Sequence, residues 1–179
     1  MKDFTEVPLS KEQVYEGKFL RLNRDTVRLP NGRQSVREYL SHPGAAMAVP
    51  VLQGDRVVMV RQYRYAVNRH IIEFPAGKID PGETGEMAAR RELLEETGYE
   101  AANWEHMYSL HPSVAYVSEQ LDLYYARGLR QIGHPGEENE FVEVLELPLA
   151  KALQMAQTGE ITDAKAVLAL LYLARKLGI

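Results

Sequence analysis

The chain is 179 residues long, 45% hydrophobic and 26% charged, with 21 Lys and Arg against 25 Asp and Glu and a formal net charge of −4. That length suffices for one domain, or one domain with a small appendage, burying about two-thirds of the unfolded surface. The mildly acidic balance offers no basic footprint for nucleic acid or an anionic membrane, and the lack of cysteine excludes disulfides, thiolate metal sites and a cysteine nucleophile.

Residues 1–18 read as a polar lead-in, and the opening Met-Lys-Asp-Phe-Thr-Glu has no apolar targeting core. No apolar run reaches membrane-spanning length, so a cytoplasmic location is expected. From Phe19 the pattern turns β-like. Phe19 to Leu29, then Pro30-Asn31-Gly32, then Gln34 to Leu40 predicts a hairpin, because Asn-Gly between two alternating runs favours a tight turn. Arg37 and Tyr39 fall on one face of its second strand. His42-Pro43-Gly44 breaks the chain and divides an N-terminal β subdomain, residues 1–44, from a main domain, residues 45–179. A two-stranded hairpin is marginal alone and must pack on the main domain or on a second subunit.

Ala46–Leu52, Arg56–Tyr63 and Ile71–Pro75 read as strands, with Gln53-Gly54-Asp55 as a turn. Trp104–Leu110 and Gln120–Tyr125 follow as strands around an irregular segment, His111–Glu119. Gly133–Asn139 is a polar loop; Leu149–Gln157 and Asp163–Lys176 are amphipathic helices. Strands with one intervening and two terminal helices suggest a mixed sheet covered on both faces, an α/β class fold.

The chemistry concentrates in Gly77–Tyr99. A Gly/Pro loop (Gly77, Pro81, Gly82) carrying Glu83 leads into a helix with Thr84 as its N-cap and Gly98 at its stop. Glu92, Glu95 and Glu96 share about 100° of the helix, and Met87, Leu93 and Leu94 are free to face a core. Like charges at this spacing cost about 0.2–0.5 kcal/mol per pair, which a hard divalent cation would relieve. A solvated acidic face is the plainer explanation of Arg-Glu-Leu-Leu-Glu-Glu by itself; the adjoining acid and three glycines argue against it.

Gly77, five residues, Glu83, seven residues, Arg91-Glu92-Leu93, one residue, Glu95-Glu96, one residue, Gly98-Tyr99 resembles the Nudix box at every specified position. The resemblance implies a Nudix α/β/α sandwich that hydrolyses a diphosphate with Mg²⁺ or Mn²⁺. It makes Glu92 and Glu96 metal ligands, helped by the main-chain carbonyl of Ala76, and has Arg91 and Glu83 brace the loop against the helix. Over nearly the whole chain the sequence is similar to the ADP-ribose pyrophosphatase and nucleoside-diphosphate-sugar hydrolase branch. The matching pieces include Arg37-Glu38, Arg61-Gln62-Tyr63-Arg64, Glu73-Phe-Pro-Ala-Gly-Lys78, Glu137–Glu143 and Gly159–Lys165. That branch exchanges its N-terminal strands in a homodimer. By the same resemblance Phe19 or Tyr39 stacks near the base, Arg37 comes from the partner subunit, Arg64 lies on the diphosphate, and Glu73 joins the substrate-binding set.

The branch's Ser-Pro-Gly is replaced here by Ser113-Val114-Ala115, with Glu119 retained, so a broad nucleoside-diphosphate-sugar preference (ADP-ribose, GDP-mannose type) is expected. Glu119 is the first candidate for the general base and Glu95 the second. Two alternatives stand beside hydrolysis of these sugars: a non-hydrolysing sensor, which should lose box acids, and a nucleoside triphosphate pyrophosphatase, which would not need the N-terminal hairpin.

Overall fold

The computed structural model describes residues 1–133 and 141–178 and divides into two units, Met1–Gly44 with His111–Gln120, and Ala45–Leu110 with Leu121–Ile179. The loop read at Gly133–Asn139 and the match at Glu137–Glu143 therefore lie largely outside the described residues.

The first unit is an antiparallel three-stranded sheet in the order β1 (Val7–Glu16), β2 (Arg21–Arg28), β3 (Gln34–Ser41). The β2–β3 hairpin closes through Leu29–Arg33, where Gly32 takes φ +83° and donates its N–H to the Leu29 carbonyl at 2.9 Å. β1 corrects the reading of residues 1–18 as a lead-in. Its register slips between Pro8 and Ser10 and again between Gln13 and Tyr15, so two bulges interrupt the alternation by which a strand is recognised. Residues 111–120, assigned to the main domain from sequence, group with this sheet. Leu40 pairs in parallel with Val117, its N–H donating to Tyr116 O at 2.8 Å and its carbonyl accepting from Ser118 N at 3.0 Å.

The second unit is a mixed sheet with central order β10 (Val142–Pro148), β5 (Arg56–Arg64), β4 (Ala45–Leu52), β9 (Leu121–Gln131), β8 (Tyr99–Leu110). β6 (Arg69–Glu73) pairs with β5 and β7 (Ala76–Lys78) with the start of β4; β4 and β9 run parallel. Alternation along β4 serves two cores. Ala45, Met47, Val49 and Val51 join the residues of α2 (Leu149–Thr158) and α3 (Ala164–Leu177), including Ala152, Leu170 and Leu173. Ala46 and Ala48 meet Ala88, Ala89 and Leu93 of α1 (Gly85–Thr97) on the other face. The result is an α/β/α sandwich. Small residues at 46 and 48, opposite two alanines, let α1 approach the sheet closely. Met87 does not join this core as expected; it is 51% exposed, beside the buried Ala88. No helix among the described residues is long and apolar enough to cross a membrane.

Candidate active site

α1 is built by its ends. The Thr84 hydroxyl accepts from Met87 N at 3.2 Å, and Gly98 at φ +71° donates its N–H to the Leu94 carbonyl at 2.8 Å. Between them Glu92 and Glu96 lie one turn apart, and neither is in open solvent: the Glu92 side chain is 13% exposed and Glu96 is 5% exposed. Their repulsion is correspondingly less screened than on an exposed helix.

Arg91 supplies the local cation, and all five of its donors are used. Nε donates to Glu83 Oε1 at 3.0 Å, one terminal nitrogen to Glu92 Oε1 at 2.7 Å and Glu95 Oε2 at 3.1 Å, the other to Glu83 Oε2 at 3.1 Å and the Lys78 carbonyl at 2.9 Å. A planar fork can do this; a lysine ammonium cannot. Glu83, first among these acids, raises the Arg91 guanidinium above its ordinary value against the effect of burial. Arg91, followed by the Asp80 N–H at 3.1 Å, lowers the Glu83 carboxyl below its usual range.

The loop meets the helix at Gly77. A Cβ there would stand 1.7 Å from Oε1 of Glu92, so the missing side chain is what lets the Glu92 carboxylate lie against the loop backbone. Of the oxygen donors expected for an ion, Glu92, Glu96 and the carbonyl of Ala76 at the start of β7, the structure seats Glu92 against the loop, while Glu96 follows one helical turn on. Among the described residues no three His, Cys, Asp or Glu side chains form a ready-made cage. The set fits a hard cation of the Mg²⁺ type, which takes one or two carboxylates and fills its remaining positions with water and substrate oxygens.

A second ion network lies in the same unit. The Glu73 side chain, 5% exposed, accepts from Arg64 Nε at 2.7 Å and from a terminal nitrogen at 2.9 Å. Glu73 foremost, with Glu96 and Asp163 at longer range, raises the Arg64 guanidinium above its ordinary value against burial. Sequence reasoning matched Gly159–Lys165 to the branch without giving it a role. Asp163 caps α3, Oδ2 accepting from Ala166 N at 2.9 Å, and its Oδ1 holds Lys165 Nζ at 2.5 Å, which leaves Lys165 3.9 Å from Glu73 Oε2. An Asp before an Ala/Leu-rich run signals the cap, but nothing local signals the reach to Glu73.

The remaining candidates belong to the first unit. Arg37 is in an ion pair with Glu6 and donates to Ser35 Oγ at 3.0 Å and the Val36 carbonyl at 2.9 Å. Tyr39 donates to Asp25 Oδ2 at 3.2 Å; burial first, then Asp25, raises its phenol above the ordinary value. Phe19 is 62% exposed. Glu119 is half-buried, and its carbonyl is 3.0 Å from His111 Nδ1.

The glycine loop and the acidic helix whose carboxylate it seats both lie within a stretch that matches a known family. Residues 41–170 match the family described as NUDIX domain, and residues 7–40 match the Nucleoside diphosphate sugar hydrolase N-terminal domain. The chain belongs to the Nudix family and is a hydrolase of that family. It is 40% identical over 174 residues, 96% of this chain and 94% of the other, to a methanol dehydrogenase activator of Bacillus methanolicus. It is 39% identical over 178 residues, 98% and 96% respectively, to an ADP-ribose pyrophosphatase of Bacillus subtilis (strain 168). A crystal structure of an ADP compounds hydrolase superposes with a TM-score of 0.89 at 26% identity, covering 99% of this chain and 97% of that one.

Proposed function

We propose that the protein hydrolyses the pyrophosphate bond of nucleoside diphosphate sugars, releasing a nucleoside monophosphate and a sugar phosphate, as a cytoplasmic homodimer that uses Mg²⁺ or Mn²⁺. The observation that carries this reading is the seating of the Glu92 carboxylate on Gly77 beneath the Arg91 network. Glu92, Glu96 and the Ala76 carbonyl are the donors for the ion, which when bound supplies Lewis acidity and a more acidic water. Arg91, itself held by Glu83, donates to the Glu92 and Glu95 carboxylates and so preorganises one ligand, Glu92, and its neighbour. Arg64 takes the diphosphate, where its guanidinium can meet two oxygens at once. Phe19 or Tyr39 stacks on the base, and Arg37 acts from the partner subunit. Glu119, or failing it Glu95, accepts the proton of the attacking water.

The test is a panel of ADP-ribose, GDP-mannose, ADP-glucose, UDP-glucose and dNTPs with each metal, products resolved by chromatography. Monophosphate and sugar phosphate in equal amounts from the sugars are expected, with dNTPs slower. Binding of the sugars without turnover under either metal would favour the sensor reading instead. The likeness to a methanol dehydrogenase activator favours one second reading, action on a dehydrogenase. Adding the purified chain to methanol dehydrogenase and measuring its turnover distinguishes the two.

A further inference from the structure

Glu73 and Arg64 form a pair of unequal partners. The carboxylate is 5% exposed and closed in, whereas the guanidinium is 45% exposed and open to an arriving anion. If Arg64 engages a diphosphate with the same edge it now gives to Glu73, the buried carboxylate is left without its counter-charge, and an uncompensated buried charge is strongly unfavourable. A replacement cation is already in place. Lys165 Nζ lies 3.9 Å from the Oε2 that Arg64 would vacate, and Asp163 holds it there with one hydrogen bond. An ammonium has three donors on a flexible stem, so Lys165 can keep Asp163 and still close on Glu73.

We propose that Lys165 is a positioning residue that takes over Glu73 when Arg64 turns to the substrate diphosphate. Free enzyme and complex would then each keep Glu73 paired, by Arg64 in the first and by Lys165 in the second. Substrate binding is thereby spared the cost of stranding a buried acid. This rests on the reading that Arg64 holds the diphosphate. Asp163 has a separate duty as the cap of α3, so the test avoids it.

ADP-ribose is titrated calorimetrically into the full-length protein in EDTA, which prevents metal-dependent turnover, alongside thermal melting of each variant. Lys165→Gln should weaken binding by about tenfold or more while leaving Tm nearly unchanged, and Lys165→Arg, which keeps the charge, should restore binding to within about threefold. In a Glu73→Gln background no buried charge needs a partner, so adding Lys165→Gln should change affinity by less than about twofold. An equal loss in both backgrounds, or no loss in the wild-type background, overturns the proposal. Arg64→Gln separates the two readings. Unchanged affinity there sinks the diphosphate role of Arg64 and this proposal with it; a large loss with Lys165→Gln unaffected sinks this proposal alone. Should Lys165→Gln not fold, Lys165→Met is titrated in its place, and the same outcomes support or overturn the exchange.

Discussion

Gly77 and Glu92 occupy each other's space: an added Cβ on the glycine would lie 1.7 Å from Glu92 Oε1 and 2.1 Å from its carboxyl carbon. The intruding group is the far end of a flexible side chain, so Gly77→Ala can be accommodated by moving it. The expected outcome is a protein with Tm within a few degrees of wild type and turnover reduced by at least about a hundredfold, because the displaced carboxylate no longer meets the ion. Melting and steady-state kinetics on one preparation check it; a large drop in Tm with activity retained would contradict the seating argument.

Removing the charges themselves makes a companion prediction. Glu92→Gln and Glu96→Gln should each lower turnover by about a hundredfold or more. Relief of the like-charge pair, about 0.2–0.5 kcal/mol, offsets part of the lost Glu92–Arg91 pair, so stability should barely move for Glu92→Gln. Near-normal activity of either variant at saturating Mg²⁺ would refute the ligand assignment.

The base is decided by pH. A carboxylate base must be ionised, so wild-type kcat falls on the acid side. Glu119→Gln should lower kcat by roughly 10²–10⁴ and flatten that limb. Glu95→Gln, which removes one of the Arg91 contacts, should lower the curve and keep its shape. The reverse pair of profiles transfers the role to Glu95.

Tyr99 offers a stability test away from the chemistry. Its hydroxyl donates to Glu146 Oε1 at 2.5 Å, and burial, followed by Glu146, pushes the phenol up to about 12 against the opposing charge of Arg56. A raised folded value means the contribution is complete below the ordinary phenol value of about 10 and is lost as pH rises toward about 12. Tyr99→Phe should therefore cost about 1.5 kcal/mol at pH 8, and the gap to wild type should shrink between pH 10 and 12. Urea unfolding at several alkaline pH values reads it, and a gap that stays constant would count against proton retention.

Every residue of β1 is exposed, including Val7, Leu9, Val14 and Tyr15, so the first unit presents an edge strand with apolar side chains. Such edges invite pairing with another chain. The protein should sediment as a dimer, and Leu9→Lys with Val14→Lys should shift it toward monomer with loss of activity. A fully active monomer in the wild type would remove residues 1–44 from any shared interface.

What could be read from sequence follows how local each cause is. The limits of α1 were legible because Thr84 and Gly98 act on their own turns, and β4 because its run is apolar on both faces. β1 escaped because two bulges break its alternation. β10 escaped because Val142-Glu-Val-Leu-Glu-Leu follows an acidic run and its apolar positions do not strictly alternate. In the site, the spacing of Arg91 to Glu95 announces a pair. Saturation of the guanidinium by Glu83, Glu92 and the Lys78 carbonyl depends on a loop path that no spacing encodes. Lys165 near Glu73, 92 positions apart in the chain, is a product of tertiary folding alone.

The ten residues from His111 to Gln120 leave β8 and return to β9, yet they are fastened to β3 through Leu40. The first unit is thus sewn to the second by three stretches of main chain instead of one. A protein begun at Ala45 would strand Val117 and Ser118 without their strand partner and leave a slack ten-residue connection bearing Glu119. The N-terminal unit is therefore poor material for inheritance as a cassette. Recombination that swapped residues 1–44 between relatives would have to bring a compatible 111–120 segment along, so the two stretches should change together or not at all.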